Sequence, residues 1–233
     1  MKLNDLLIEK EIKEQPLKEM AYPANFNLQE FSKLPSFKAR KQYCDERLPK
    51  LGQGTSRIAY KVDNEKALKL AFNKKGIAQN EHEADWGRNN YGVFGEIFDA
   101  DTDNYTWIEM ELARTPKKQD FKRLLGITFE ETCDLIKYCY EQYSQYSQYR
   151  NNRFQLHYST MVEDLYEKLV AQEESDFFVS FQRYVYDYQP YSVMDWLRIS
   201  NWGIVNRNGQ EHLVIIDDGL DEDVLNKYYS RRR

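Results

Sequence analysis

Along residues 57–62 apolar and polar positions alternate with a period of two. Ile58, Tyr60 and Val62 fall on one face and Arg57, Ala59 and Lys61 on the other, which predicts a half-buried strand. Asp63-Asn64-Glu65 supplies a reversal. Lys66–Phe72 then predicts a strand with one buried side, Leu68, Leu70 and Phe72 opposing Ala67, Lys69 and Ala71. With the residues from 48 onward this makes three short strands. A helical stretch over 77–89 follows, and VFGEIFDA and NYTWIEMEL predict two more strands around the polar turn DADTDN.

Beyond residue 115 the spacing turns helical. Thr128–Glu131 and Thr160–Glu163 read as capping boxes, in which a hydroxyl and a carboxylate satisfy the free N–H groups of a helix start. A further helix is predicted over 176–186, and WGIVNRNGQEHLVII predicts a hairpin turned at Asn208-Gly209. Tyr140, Tyr143, Tyr146 and Tyr149 recur every three residues, a drifting stripe suited to core or interface packing or to nucleobase stacking. Residues 1–45 read as an arm, because the loose stripe Leu6, Leu7, Ile12 and Leu17 is interrupted by Pro16, Pro23 and Pro35. Its Phe26, Phe31 and Phe37 suit a segment lying across its own domain or a partner. A helix from Phe37 to Leu48 is predicted to end at Pro49.

Composition narrows the class. With 41% hydrophobic and 30% charged residues, the 233-residue chain has material for a real core. A net charge of −5 argues against coating nucleic acid as a whole, though Arg231-Arg232-Arg233 could touch an anionic surface. No apolar run approaches the ~20 residues of a membrane helix, and the charged first residues do not read as a signal peptide, so the cytoplasm is expected. Three cysteines and three scattered histidines lack zinc-ligand spacing.

The candidate chemistry begins at Leu51-Gly52-Gln53-Gly54-Thr55-Ser56-Arg57, a glycine-rich turn between two predicted strands. Gly52 and Gly54 would let backbone N–H groups approach phosphate, and Thr55, Ser56 and Arg57 could add donors. A bare hairpin would use the same glycines. On the next strand the small Ala67 shares a face with Lys69, where a nucleotide needs space and charge. A lysine facing inward requires an anionic partner. The helix that follows offers Glu83, with Glu81 as the fallback.

In chain order these elements resemble the protein-kinase-like superfamily. Trp107–Ala113 looks like a fifth strand entering the hinge between two lobes. Met110 would guard the back of the pocket, and backbone groups near Glu111 and Ala113 would meet adenine. Asp195-Trp-Leu-Arg-Ile-Ser-Asn201 looks like a catalytic loop, and Ile215-Ile-Asp217-Asp218-Gly219 like the metal-binding strand end. The resemblance implies a two-lobed α+β fold: an arm over 1–45, a small lobe of antiparallel sheet plus one helix over 46–113, and a reduced, mainly helical lobe over 114–233. It further implies ATP and Mg2+, with Lys69 holding phosphates and pairing with Glu83, and with Asn201 and Asp217 holding the metal. Asp195 would orient or deprotonate a protein or small-molecule acceptor. GTSRIAYKVD, NWGIV and IIDDG look most like kinase-like proteins carried by bacteriophages.

The sequence also departs from that pattern. Arg57 stands at the third glycine of the loop, and five residues rather than four separate Asp195 from Asn201, with no His-Arg pair before them. Asp218 replaces an aromatic, and only fourteen residues follow Gly219, too few for an activation segment. The expected activity is phosphotransfer, with nucleotidyl transfer from a flipped ATP as a variant. The alternative is a degenerate binding module engaging a protein through the arm, the tyrosine stripe or the basic tail.

Overall fold

The computed structural model describes residues 23, 25–87, 92–143, 164, 165, 167, 168, 175–188 and 193–217. The capping box at Thr160, Tyr146 and Tyr149 of the stripe, the first 22 residues and everything from Asp218 onward lie outside the described residues.

Five strands form one antiparallel sheet: β1 (Lys50–Gln53), β2 (Arg57–Lys61), β3 (Lys66–Ala71), β4 (Ile97–Ala100) and β5 (Trp107–Glu111). Their order is β1-β2-β3-β5-β4. The alternation of β2 sends Ile58, Tyr60 and Val62 to the outer face, which cannot stay in water. Helices α1 (Leu28–Ser32) and α2 (Phe37–Arg47) cover it. Phe26, Leu28, Phe31, Cys44 and Leu48 join Leu68, Leu70 and Trp107 in that core, and the Phe31 ring stands edge-on to Trp107 at 5.7 Å. Polar ties secure the seam: the Tyr60 hydroxyl donates to Asp45 at 2.8 Å, and Arg40 donates to the Thr106 hydroxyl at 2.8 Å. Of the two places open to the aromatics of the arm, those within the described residues take their own domain.

The one-sided burial expected of β3 does not hold, since Ala67 and Ala71 are buried as well. The physical reason is α3 (Lys74–Gly87), which lies against the other face of the sheet and makes β3 a strand covered on both sides. Asn73 starts that helix by accepting the Gly76 N–H at 3.0 Å, an N-cap.

After β5 the chain enters a mainly helical region of α4 (Lys118–Leu125), α5 (Phe129–Tyr143) and α6 (Ser175–Tyr188), followed by the hairpin of β6 (Trp202–Arg207) and β7 (Gln210–Ile215). The Thr128 capping box is present: the Thr128 N–H donates to the Glu131 carboxylate at 2.7 Å and the Glu131 N–H to the Thr128 hydroxyl at 3.1 Å. Asn208 and Gly209 have φ of 55° and 81°, the two positive values that a tight hairpin turn matching strand twist requires. Phe121, Leu125, Ile136, Phe181, Tyr184 and Trp202 centre this second core, and Tyr140 packs at its edge. The two parts of the chain are stitched by backbone. The Gly95 N–H donates to the Ile215 carbonyl at 2.9 Å, and Arg114 and Ile204 exchange bonds of 3.0 and 2.9 Å. No helix among the described residues is long and apolar enough to cross a membrane.

Candidate functional site

The register of the sheet sets three of the candidate residues, Ala67, Lys69 and Met110, beside one another. Ala67 lies opposite Met110, and Lys69 lies between Ala59 and Ile108. Ala67 and Met110 belong to an apolar cluster with Ala84, Ile97 and Ile108, edged by Leu112 and Ile216. Lys69 reaches out of that wall. Its ammonium donates to Glu83 Oε2 at 2.7 Å and to the Ile216 carbonyl at 2.6 Å. Glu83 is therefore the partner of Lys69, and Glu81 is exposed. A helix turn explains the choice, because Asn80, Glu83 and Ala84 share the face of α3 that meets the sheet.

Arg57 goes elsewhere than the glycine-rich turn. From the first position of β2 its guanidinium donates to Glu83 Oε1 at 2.8 Å and to Asp217 Oδ1 at 2.6 Å, with Asn80 Oδ1 at 3.4 Å. Burial works against its charge, and the Glu83 and Asp217 carboxylates outweigh that cost, so its pKa lies above the ordinary value. Asp217 responds in kind: burial pushes its carboxyl up, the Arg57 and Lys69 cations overcome it, and the group is held below the usual range. The carboxylate is still half-exposed.

Ser56 is likewise turned inward. Its hydroxyl donates to Gln79 Oε1 at 2.5 Å, so it serves the seam between loop and helix rather than the mouth of the turn. The loop is pinned further by the Asn73 amide donating to the Thr55 carbonyl at 3.1 Å and Lys75 donating to the Thr55 hydroxyl at 3.2 Å. Gly52 and Gly54 have no positive φ, and among the described residues nothing beyond their own chain neighbours lies closer than 4.0 Å to where their Cβ atoms would be. Packing beneath the loop demands a glycine at Gly76, whose Cβ would stand 2.3 Å from the Ser56 carbonyl oxygen.

Asp195 and Asn201 sit on a loop anchored from within, where the buried Trp202 indole donates to the Trp196 carbonyl at 2.7 Å. One 3-10 turn, Ile199–Asn201, delivers Asn201. Its amide nitrogen donates back to the Asp195 carbonyl at 2.9 Å, which leaves Oδ1 facing away from that bond, where it accepts from Ser200 at 3.2 Å. The Asn201 carbonyl in turn accepts the Ile216 N–H at 2.8 Å, tying the loop to the end of β7. Burial and the neighbouring Asp217 charge raise the Asp195 carboxyl, with Arg198 at 3.6 Å drawing it partly back.

At the end of β5 the Glu111 N–H is spent on the Glu96 carbonyl at 2.9 Å. Its carboxylate takes a two-pronged bond from Arg207, 2.8 and 2.6 Å. Among the described residues no backbone bond uses the N–H or carbonyl of Ala113. Asn80, Gln79, Gly76 and Arg207 were missed from sequence. Asn73 ahead of a helix with Gly76 at its first turn was a legible cap signal, whereas Arg207 and Glu111 lie 96 residues apart and nothing local pairs them.

Among solved structures, the ternary complex of streptomycin and ATP with APH(2")-IIa is similar over 80% of this chain and 71% of that one, at 11% identity and a TM-score of 0.36. No protein-family model and no curated protein sequence matches the chain.

Proposed function

We propose that the protein binds ATP at the Lys69 site and transfers a phosphoryl group to an acceptor, a protein or a small molecule. One observation carries the reading: Lys69 is paired with Glu83 of α3 and donates to Ile216, the residue just before Asp217. Phosphoryl transfer asks chiefly for positioning and for neutralising charge that spreads over the phosphate oxygens. Lys69 would hold the phosphates, kept in line by Glu83. Ala67 and Met110 would floor the base pocket, and the unspent backbone groups of Ala113 would meet the base, without help from the Glu111 N–H. Gly52 and Gly54 would admit the phosphates near the backbone, without a donor from the Gly54 N–H, which is spent on the Arg57 carbonyl at 2.9 Å. Asp195 would orient the acceptor or take its proton. The narrower likeness to bacteriophage proteins rests on sequence wording alone.

The donor set suits Mg2+, since the Asp217 carboxylate and Asn201 Oδ1 are hard oxygen ligands. Bound there, the ion would neutralise charge on the transferring group. The Arg57 guanidinium on Asp217 favours a second reading, a catalytically silent module whose internal ion pair replaces the metal.

Thermal unfolding with and without ATP and Mg2+ separates the two. Ligand at 100 times its dissociation constant stabilises by about 2.7 kcal/mol, a shift of about 5 °C. The proposal expects that shift in the wild type and its loss in Asp217→Ala and Lys69→Ala. Unimpaired binding and turnover in Lys69→Ala would sink it, and no shift in the wild type favours the silent module.

A further inference from the structure

We propose that Arg57 sets the order in which this site loads, holding Asp217 against a divalent cation until nucleotide phosphates draw its guanidinium away. The inference rests on the phosphotransfer reading for the identity of the nucleotide, and on the geometry of the ion pairs for the rest.

Arg57 bridges two carboxylates from distant parts of the chain, Glu83 of α3, 26 residues away, and Asp217 just past β7, 160 residues away. The side chain is only 10% exposed. Glu83 does not depend on it, because its other oxygen is held by Lys69. The four side chains balance, two cations against two carboxylates, so among them no net negative charge is left to attract a divalent ion, and the neighbouring Asp195 carboxylate has its own cation in Arg198 at 3.6 Å. Among the described residues no group of three or more His, Cys, Asp and Glu could hold a metal. A cation entering the free protein therefore finds one Asp217 oxygen already engaged and must displace a buried guanidinium to gain it.

A polyphosphate can displace it without that cost. Phosphate oxygens match the planar fork of a guanidinium as well as a carboxylate does. Arg57 opens β2 directly after the glycine-rich turn, and phosphates held at that turn would meet its guanidinium once it swings off Asp217. Moving the guanidinium onto phosphate releases the Asp217 oxygen for the metal. Nucleotide and metal then favour each other beyond their direct attraction, and the linkage is reciprocal. Lysine would perform this exchange less well, since its ammonium is a compact point charge without the planar two-pronged fork that matches carboxylate and phosphate.

The test is Mn2+ binding to the full chain by calorimetry, with and without a non-hydrolysable ATP analogue, for wild type, Arg57→Gln, Arg57→Lys, Asp217→Asn and the double variant Arg57→Gln/Asp217→Asn. Without nucleotide, Arg57→Gln is expected to bind Mn2+ about tenfold tighter than wild type. The gain disappears in the double variant, and the analogue narrows the gap between wild type and Arg57→Gln. If Arg57→Gln does not fold, Arg57→Lys carries the test and shows part of the gain. A glutamine variant that binds Mn2+ no tighter, or a gain that survives Asp217→Asn, overturns the role of Arg57 while leaving nucleotide binding in the wild type intact. Absence of analogue binding in every variant overturns the phosphotransfer reading and the loading order with it.

Discussion

Single residues carry opposite duties in the loop and the helix beneath it. Gly76 lacks a side chain because the Ser56 carbonyl oxygen would stand 2.3 Å from its Cβ, with Ala71 Cβ and Arg57 Cγ at 3.1 Å. Gly76→Ala should cost about 1–3 kcal/mol in urea unfolding, as overpacking against backbone does. Gly52 meets no such neighbour. Gly52→Ala should leave stability within about 0.5 kcal/mol while weakening nucleotide binding if phosphates approach that backbone. A large stability loss in Gly52→Ala, or none in Gly76→Ala, contradicts the assignment. The glycine-rich turn was visible in sequence as a pair of glycines. Its own packing requirement lies in a third, twenty-two residues past Gly54, because the close approach is between a loop and a helix start.

At the level of elements, α4 begins without a Ser, Thr, Asp or Asn cap. Asp120 compensates by accepting the Lys117 N–H at 2.8 Å. It also takes Arg114 at 3.3 Å and Arg123 at 2.8 Å, and Glu211 of β7 shares both arginines at 2.9 and 2.7 Å. Hydrogen bonds from Arg114 and Arg123, then from the Lys117 backbone, hold the Asp120 carboxyl well below the usual carboxylate range. A carboxyl depressed in the folded state stabilises fully above its unfolded pKa of about 3.9, and that stabilisation is lost as pH falls through the folded value. The melting temperature of Asp120→Asn should lie below wild type near pH 7, and the gap should close as pH drops below about 4. A gap independent of pH would show that the effect is packing alone. Since both arginines are half-exposed, added salt should shrink it.

Across the whole molecule, one buried fork joins the sheet to the hairpin. Arg207 of β6 binds both oxygens of Glu111 at the end of β5 and the carbonyls of Gly92 and Phe94 at 3.2 and 2.9 Å. Arg207→Ala leaves the buried Glu111 carboxylate without its cation, held only by the Glu96 N–H at 2.9 Å, and should cost about 3 kcal/mol by chemical denaturation. Adding Glu111→Gln should recover part of that loss, because no orphaned charge remains. Two costs that simply add would mean the pair is not coupled.

The alternation of β2, the break at Asp63-Asn64, the Thr128 cap and the Asn208-Gly209 turn each follow from interactions spanning a few residues, and their elements stand where those signals point. The small Ala67 beside Lys69, and a carboxylate one helix later, were equally legible, because strand period and helix turn put them on inner faces. The tertiary structure alone decided what those faces meet. Helix α3 covers β3 on its second side, the described part of the arm folds onto the outer sheet, and Arg57 reaches from the sheet to Asp217 beyond β7. These outcomes depend on groups far apart in the chain, and local pattern records only that a side chain must be buried or paired, not with which distant partner.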